Sequence, residues 1–178
     1  MKSNFVRHTA LYGLFIGLAL VLLNVVDTLL GFYNTNKFFN LLTYAIPAGG
    51  IVWGALQFRN KEADGFMPYG QVVGYGVLTA VFFGIIVAIY TILLVTVIDP
   101  SYVDRVQALT AEQLYAAGAL TEQQIDQALE ISDKMMRNLA WSFISSLFGA
   151  LFEGLIIALI AGIFIRRNRP STPFDTVA

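Results

Sequence analysis

The chain has 178 residues, of which 57% are hydrophobic and 13% charged, with a formal net charge of −1 and a mean hydropathy of +0.67. These values lie well away from those of a soluble domain of this size and exclude a water-soluble reading. The absence of cysteine means that no disulfide braces any loop.

A span needs about 20 apolar residues to cross about 30 Å of hydrocarbon. Four blocks meet that length, at about residues 9–30, 38–58, 71–98 and 139–165. Each is long, continuous and rich in Leu, Ile, Val, Phe, Ala and Gly, whereas a barrel strand would alternate apolar and polar residues over roughly ten positions. The predicted fold is therefore all-α: one membrane domain over 1–178, a four-helix bundle with a helical hairpin in the outer loop at 99–138.

The first block follows Lys2 and Arg7. It is read as a retained span, because it exceeds the 7–15 residues of a signal core and no small-x-small cleavage site follows, only Leu29-Leu30-Gly31-Phe32-Tyr33. Gly13, Gly17, Leu20, Asn24 and Asp27 recur at 4-3-4-3 spacing and share one side of this helix. His8, the sole histidine, is read as a solvated residue of the N-terminal tail. The second block holds Tyr44, the pair Gly50 and Gly54, and Pro47, which removes one helical hydrogen bond and is expected to kink the span. It closes on Arg59 and Lys61. Gly70 and Gly74 open the third block, which carries Thr79 and Tyr90. Small residues four apart let helices approach closely, so the three glycine pairs are read first as packing within the bundle and second as a dimer face.

In the outer segment, Thr110 precedes Gln113 and Thr121 precedes Gln124, each fitting a capping box at a helix start. Gly118 suits the end of the first helix. The second helix is expected to run straight into the fourth span, since neither proline nor glycine interrupts 122–146. In that span Ser142, Ser146, Gly149 and Glu153 recur at 4-3-4 spacing, and Arg166, Arg167 and Arg169 follow it.

Positive residues are retained on the cytoplasmic side. Lys2, Arg7, Arg59, Lys61, Arg166, Arg167 and Arg169 share one side, and Lys37, Arg105, Lys134 and Arg137 the other, which predicts both termini inside. The basic cluster at Arg59, Lys61, Arg166, Arg167 and Arg169 is expected to sit at lipid headgroups, each residue contributing on the order of 1 kcal/mol.

The informative residues are those that are costly in hydrocarbon: Asn24, Asp27 and Glu153. At about 1.5 Å per residue, Glu153 falls near the bilayer midplane, level with Tyr44, Pro47 and Thr79. Asp27 lies nearer the outer surface, level with Tyr90 and Ser142, where it could reach interfacial water. A midplane carboxyl costs about 2.5–3.5 kcal/mol and marks a functional site by default. The spans hold no Lys, Arg or His to pair with it, so the plainer reading is a hydrogen-bonded structural carboxyl, with Tyr44, Thr79 or a carbonyl freed by Pro47 as partner. No phosphate loop, zinc spacing or Ser-His-Asp set is present, so neither cofactor nor metal is expected and an enzyme acting alone is the minority reading.

Tyr12-Gly13 and Gly17, Arg59, the run Gly65-Phe66-Met67-Pro68-Tyr69-Gly70-Gln71 with Gly74 or Gly76, then Tyr90, Pro100, the acidic outer helix and the basic C-terminal end span nearly the whole chain. On these residues it resembles the DUF4199 family, four-helix membrane proteins of unknown function found mainly in Bacteroidetes. The resemblance implies the fold and a bacterial inner-membrane location, and it supplies no activity or catalytic residue. It also carries an association of family genes with membrane glycosyltransferases. The favoured function is an accessory or scaffold subunit of an envelope complex; the alternatives are a small oligomeric transporter or ion- or proton-conducting protein using Glu153 and Asp27, and a lipid-binding partner of a membrane glycosyltransferase. The expected partners are membrane lipid, a second copy or an envelope protein, and not nucleic acid.

Overall fold

A computed structural model describes residues 2–33 and 35–169. It is all-helical: α1 (Lys2–Leu29), α2 (Lys37–Lys61), α3 (Tyr69–Leu93), α4 (Tyr102–Ala117), α5 (Glu122–Arg137) and α6 (Leu139–Ile165), with a π-helical turn, Leu94–Ile98, closing α3. Four of these, α1, α2, α3 with its π-turn, and α6, are long and apolar enough to cross a membrane. The first helix starts well before the apolar block, at Lys2, so the stretch that reads as a tail around His8 is itself helical.

The helices form a ring. α3 packs most extensively on α6 and next on α1, while α2 lies on α1 and meets α6. Small residues set the α3–α6 approach: a methyl group at Gly76 would strike Ala158, one at Gly154 would strike Ala80, and one at Gly84 would strike Ala150. In lipid, such close backbone approach replaces the hydrophobic drive that joins helices in water. Gly13 performs the same service for α1, since a Cβ there would lie 2.5 Å from Phe82 Cβ and 2.8 Å from Thr79 O. Gly17 meets Ile86, Gly50 meets Ile16, and Gly54 meets Tyr12 and Tyr75. Gly70 and Gly74 differ from the other two pairs, because a methyl group at either position would meet nothing within 4 Å.

The two ends of the bundle are packed unequally. At the basic end, Ala55, Phe58, Ala63, Met67, Val72, Tyr75, Ala161 and Ile165 form one buried cluster. There Arg59 donates to the Ile165 carbonyl at 2.9 Å, and Met67 and Arg167 exchange backbone hydrogen bonds of 2.9 and 2.8 Å. Toward the hairpin end, the buried residues of α2 stop at Pro47, and Phe38, Leu41 and Tyr44 are exposed. α2 continues through Pro47 without a break in its helical run.

The hairpin shows two expected caps and corrects two expectations. Thr121 makes the full capping box with Gln124, and Gly118 ends α4 in the left-handed region at φ 61°. Thr110 lies inside α4, where its hydroxyl donates to the Val106 carbonyl at 2.8 Å, so it starts no helix. A hydroxyl one turn downstream of an available carbonyl satisfies itself locally and competes with capping. Nor does α5 run into α6. Asn138 interrupts them at φ −80°, ψ 103°, and its side chain accepts from Trp141 N at 3.1 Å, capping α6. Ser142 Oγ donates to the Met136 carbonyl at 3.0 Å, satisfying an end group of α5. Asparagine thus supplies a break that the absence of glycine and proline does not reveal.

Candidate functional site

In the hairpin half of the bundle, where α2 has no buried residue before Pro47, there is a cleft of about 740 Å³. All four spanning helices line it: Leu20 from α1, Thr43, Tyr44 and Ala48 from α2, Phe83 and Val87 from α3, and Ser146, Gly149, Phe152 and Glu153 from α6. The α6 stripe read from the sequence turns Ser146, Gly149 and Glu153 onto this wall, while Ser142 stays at the hairpin junction. Apolar walls with one carboxyl and three hydroxyl-bearing residues describe a binding cleft of ligand size, where a few polar groups orient a largely apolar guest.

Glu153 is half-buried, and its Oε1 is shielded with no hydrogen-bond partner among the described residues. An unmet buried oxygen is costly, so such atoms mark strain or an absent partner. Of the expected partners, Thr79 is committed to its own helix, donating to the Tyr75 carbonyl at 2.8 Å. Tyr44 is 64% exposed at the mouth of the cleft.

A second, smaller cavity of about 100 Å³ lies beside the first. Asn24, Asp27 and Tyr90 meet there with Thr43 and Thr91, and the Tyr90 hydroxyl donates to Asn24 Oδ1 at 3.2 Å. Asp27 is only 3% exposed and lies enclosed within the bundle. Leu20, Thr43 and Val87 line both cavities.

The basic residues separate by task. Arg59 is committed to the Ile165 carbonyl, which it approaches from the end of α2. Arg167 and Arg169 lie over the Phe66 ring at 5.8 and 6.0 Å, and Arg169 also reaches Asp64 at 3.4 Å. Lys61 and Arg166 are exposed. His8 is not a solvated tail residue. It is half-buried, stacks on Tyr12 at 4.7 Å, and its Nδ1 lies 2.8 Å from the Tyr75 hydroxyl. Its place four residues before Tyr12, on the same helical face, was the available signal.

The residues that sequence spacing did not single out are Gly76, Ala80, Gly84, Ala150, Gly154 and Ala158, whose small-residue ridge mixes glycine with alanine. Among the described residues no three His, Cys, Asp or Glu side chains gather as a metal cluster. Comparison with known proteins agrees with this bundle at family level: the family described as "Protein of unknown function (DUF4199)" matches residues 11–167. No curated protein and no solved structure gives a significant match. With the match covering most of the chain, this four-span protein belongs to the DUF4199 family.

Proposed function

We infer that the protein is an accessory membrane subunit that holds an amphiphilic molecule in the Glu153 cleft, the polar group of the guest meeting the Glu153 carboxyl group and its chain lying along the apolar walls. The observation that carries this reading is Glu153 on the wall of a cleft of about 740 Å³ built by four helices, with a shielded Oε1 that has no partner among the described residues. That volume falls within the roughly 300–1,000 Å³ of small-molecule sites and far below what a transmembrane partner helix occupies. A single carboxyl selects a guest with a hydroxyl or amine donor. The exposed Tyr44 and Phe152 at the mouth favour an entrance on the lipid-facing side. Held in a bacterial inner membrane with both termini inside, such a subunit would serve an enzyme working on lipid-linked substrates, a membrane glycosyltransferase being one such partner.

The test is native mass spectrometry of protein released gently from its own membrane, comparing wild type with Glu153→Gln and Gly149→Leu. Gly149 lines the cleft with nothing within 4 Å of a Cβ there, so leucine starts into the guest's space without a clash at its Cβ. A small bound mass that is present in wild type, reduced in Glu153→Gln and lost in Gly149→Leu is expected. Identical bare masses for all three would falsify the reading.

A second reading, ion or proton conduction by an oligomer, draws on the shared lining of the two cavities, which sets Asp27 and Glu153 along one side of the bundle. The tightly closed basic end weighs against it. Proton or cation flux in proteoliposomes that stops with Glu153→Gln would move the balance to conduction.

A further inference from the structure

We propose that the pocket beside Phe66, at the basic end of the bundle, binds the phosphate group of an anionic phospholipid, at a site separate from the Glu153 cleft and independent of the reading given for it. Two segments far apart in sequence are tied together to make it. Met67 and Arg167 exchange backbone hydrogen bonds of 2.9 and 2.8 Å, which join the loop between α2 and α3 to the segment that follows α6. The Phe66 ring then carries two guanidinium groups, those of Arg167 and Arg169, at 5.8 and 6.0 Å from its centroid. The negative face of an aromatic ring attracts a cation, so the two like charges are held at one ring although they repel each other.

Next to this ring lies a pocket of about 380 Å³ lined by Ala63, Phe66, Pro68, Gln71, Asn168 and Arg169. Its three polar side chains, one guanidinium and two amides, all carry N–H donors, and none of the lining residues is acidic. Residues 59–71 and 166–169 together hold five cations and two carboxylates. Among the described residues one ion pair links the two sets, Arg169 with Asp64 at 3.4 Å. Surplus positive charge beside amide donors suits an anion, and the planar fork of arginine matches phosphate in particular. The apolar half of the lining suits the glycerol and first methylenes of a lipid, which a free phosphate lacks. Depth selects the same source. The exposed apolar side chains of α6 run to Ile163 and Phe164, and basic residues begin at Arg166, so the pocket lies where lipid-facing surface gives way to the headgroups. A zwitterionic headgroup brings its own ammonium to this cationic rim, which favours a phospholipid of net negative charge.

The experiment is native mass spectrometry of the purified full-length protein in detergent, titrated with phosphatidylglycerol, phosphatidylcholine or soluble glycerol phosphate. A saturable phosphatidylglycerol site is expected, retained in Gly149→Leu, which obstructs the Glu153 cleft, with weaker binding of phosphatidylcholine and no displacement by glycerol phosphate at equal concentration. Arg169→Gln should weaken phosphatidylglycerol binding about tenfold, as the loss of a charge-assisted hydrogen bond does. Phe66→Leu keeps every charge and should weaken it less. Arg166→Gln removes the same charge from outside the pocket lining and should bind nearly as wild type. Both arginines are exposed, so neither change disturbs the packed core. Equal affinity for the two phospholipids, equal losses in Arg169→Gln and Arg166→Gln, or loss of the site in Gly149→Leu overturns the proposal. Displacement of the lipid by glycerol phosphate overturns it too, and assigns the pocket to a soluble phosphate compound.

Discussion

Gly154 and Gly74 are both glycines of spanning helices, yet they occupy opposite environments. A methyl at Gly154 runs into Ala80 and toward the Gly76 carbonyl, whereas one at Gly74 meets nothing within 4 Å. Overpacking a close interface costs typically about 1–3 kcal/mol, so Gly154→Val should lower the thermal midpoint of the detergent-solubilised protein by several degrees while Gly74→Ala leaves it unchanged. Equal midpoints would show that the α3–α6 ridge is not a tight interface. At this scale the sequence was only partly legible. Asn24, Asp27 and Glu153 could be singled out because charge and amide are expensive in lipid, and each lines one of the two cavities. The packing ridge escaped notice because alanine at four-residue spacing from glycine is common in any apolar helix, and only the opposing helix shows which copies are used. His8 escaped because one polar residue at the start of an apolar block reads as tail until the ring it stacks on is known.

At the scale of elements, the hairpin separates a used capping signal from an unused one. Thr121→Ala removes the hydroxyl of a complete box and should cost about 1 kcal/mol, seen as faster amide exchange across the first turn of α5. Thr110→Ala sits within α4 and should leave exchange at the corresponding amides nearly as it was. α5 also carries a titratable brace: Lys134 donates to Glu130 at 2.6 Å, and this hydrogen bond holds the carboxyl below its ordinary value of 4.5. A depressed carboxyl contributes stability that is present above the ordinary value and is lost as pH falls through the folded one. Exchange protection in α5 should therefore drop below pH 4.5 in wild type and drop less steeply across that range in Glu130→Gln, where the Asp133–Arg137 pair remains. The contribution is small, since both groups are solvent-exposed and screened. The break at Asn138 was hidden for a related reason: asparagine in a run without glycine or proline reads as helix-tolerant, while its side chain prefers to cap.

For the whole molecule, four spans and the ring they form follow from block length and the need to satisfy every backbone group in lipid. The unequal packing of the two ends does not follow, because it depends on how much of α2 the other helices cover, and no periodicity within one helix encodes that. Orientation is open to a direct check that the cysteine-free chain makes simple. A single cysteine at Ala117 should react with a membrane-impermeant maleimide in intact spheroplasts, and one at Lys61 only after permeabilisation. The reverse pattern would invert the proposed arrangement.

The partnership of α3 and α6 also has a consequence for biogenesis. α3 finds its largest interface on α6, the last of the described helices, with 72 residues separating Leu93 from Ile165. At about 5–20 residues per second, translation takes on the order of ten seconds to cover that distance. For that interval the ridge at Gly76, Ala80 and Gly84 stands open to lipid or to an insertion factor. α1, already in place, can shield only another face of α3, so the nascent bundle passes through a three-helix stage whose lifetime is set by the ribosome.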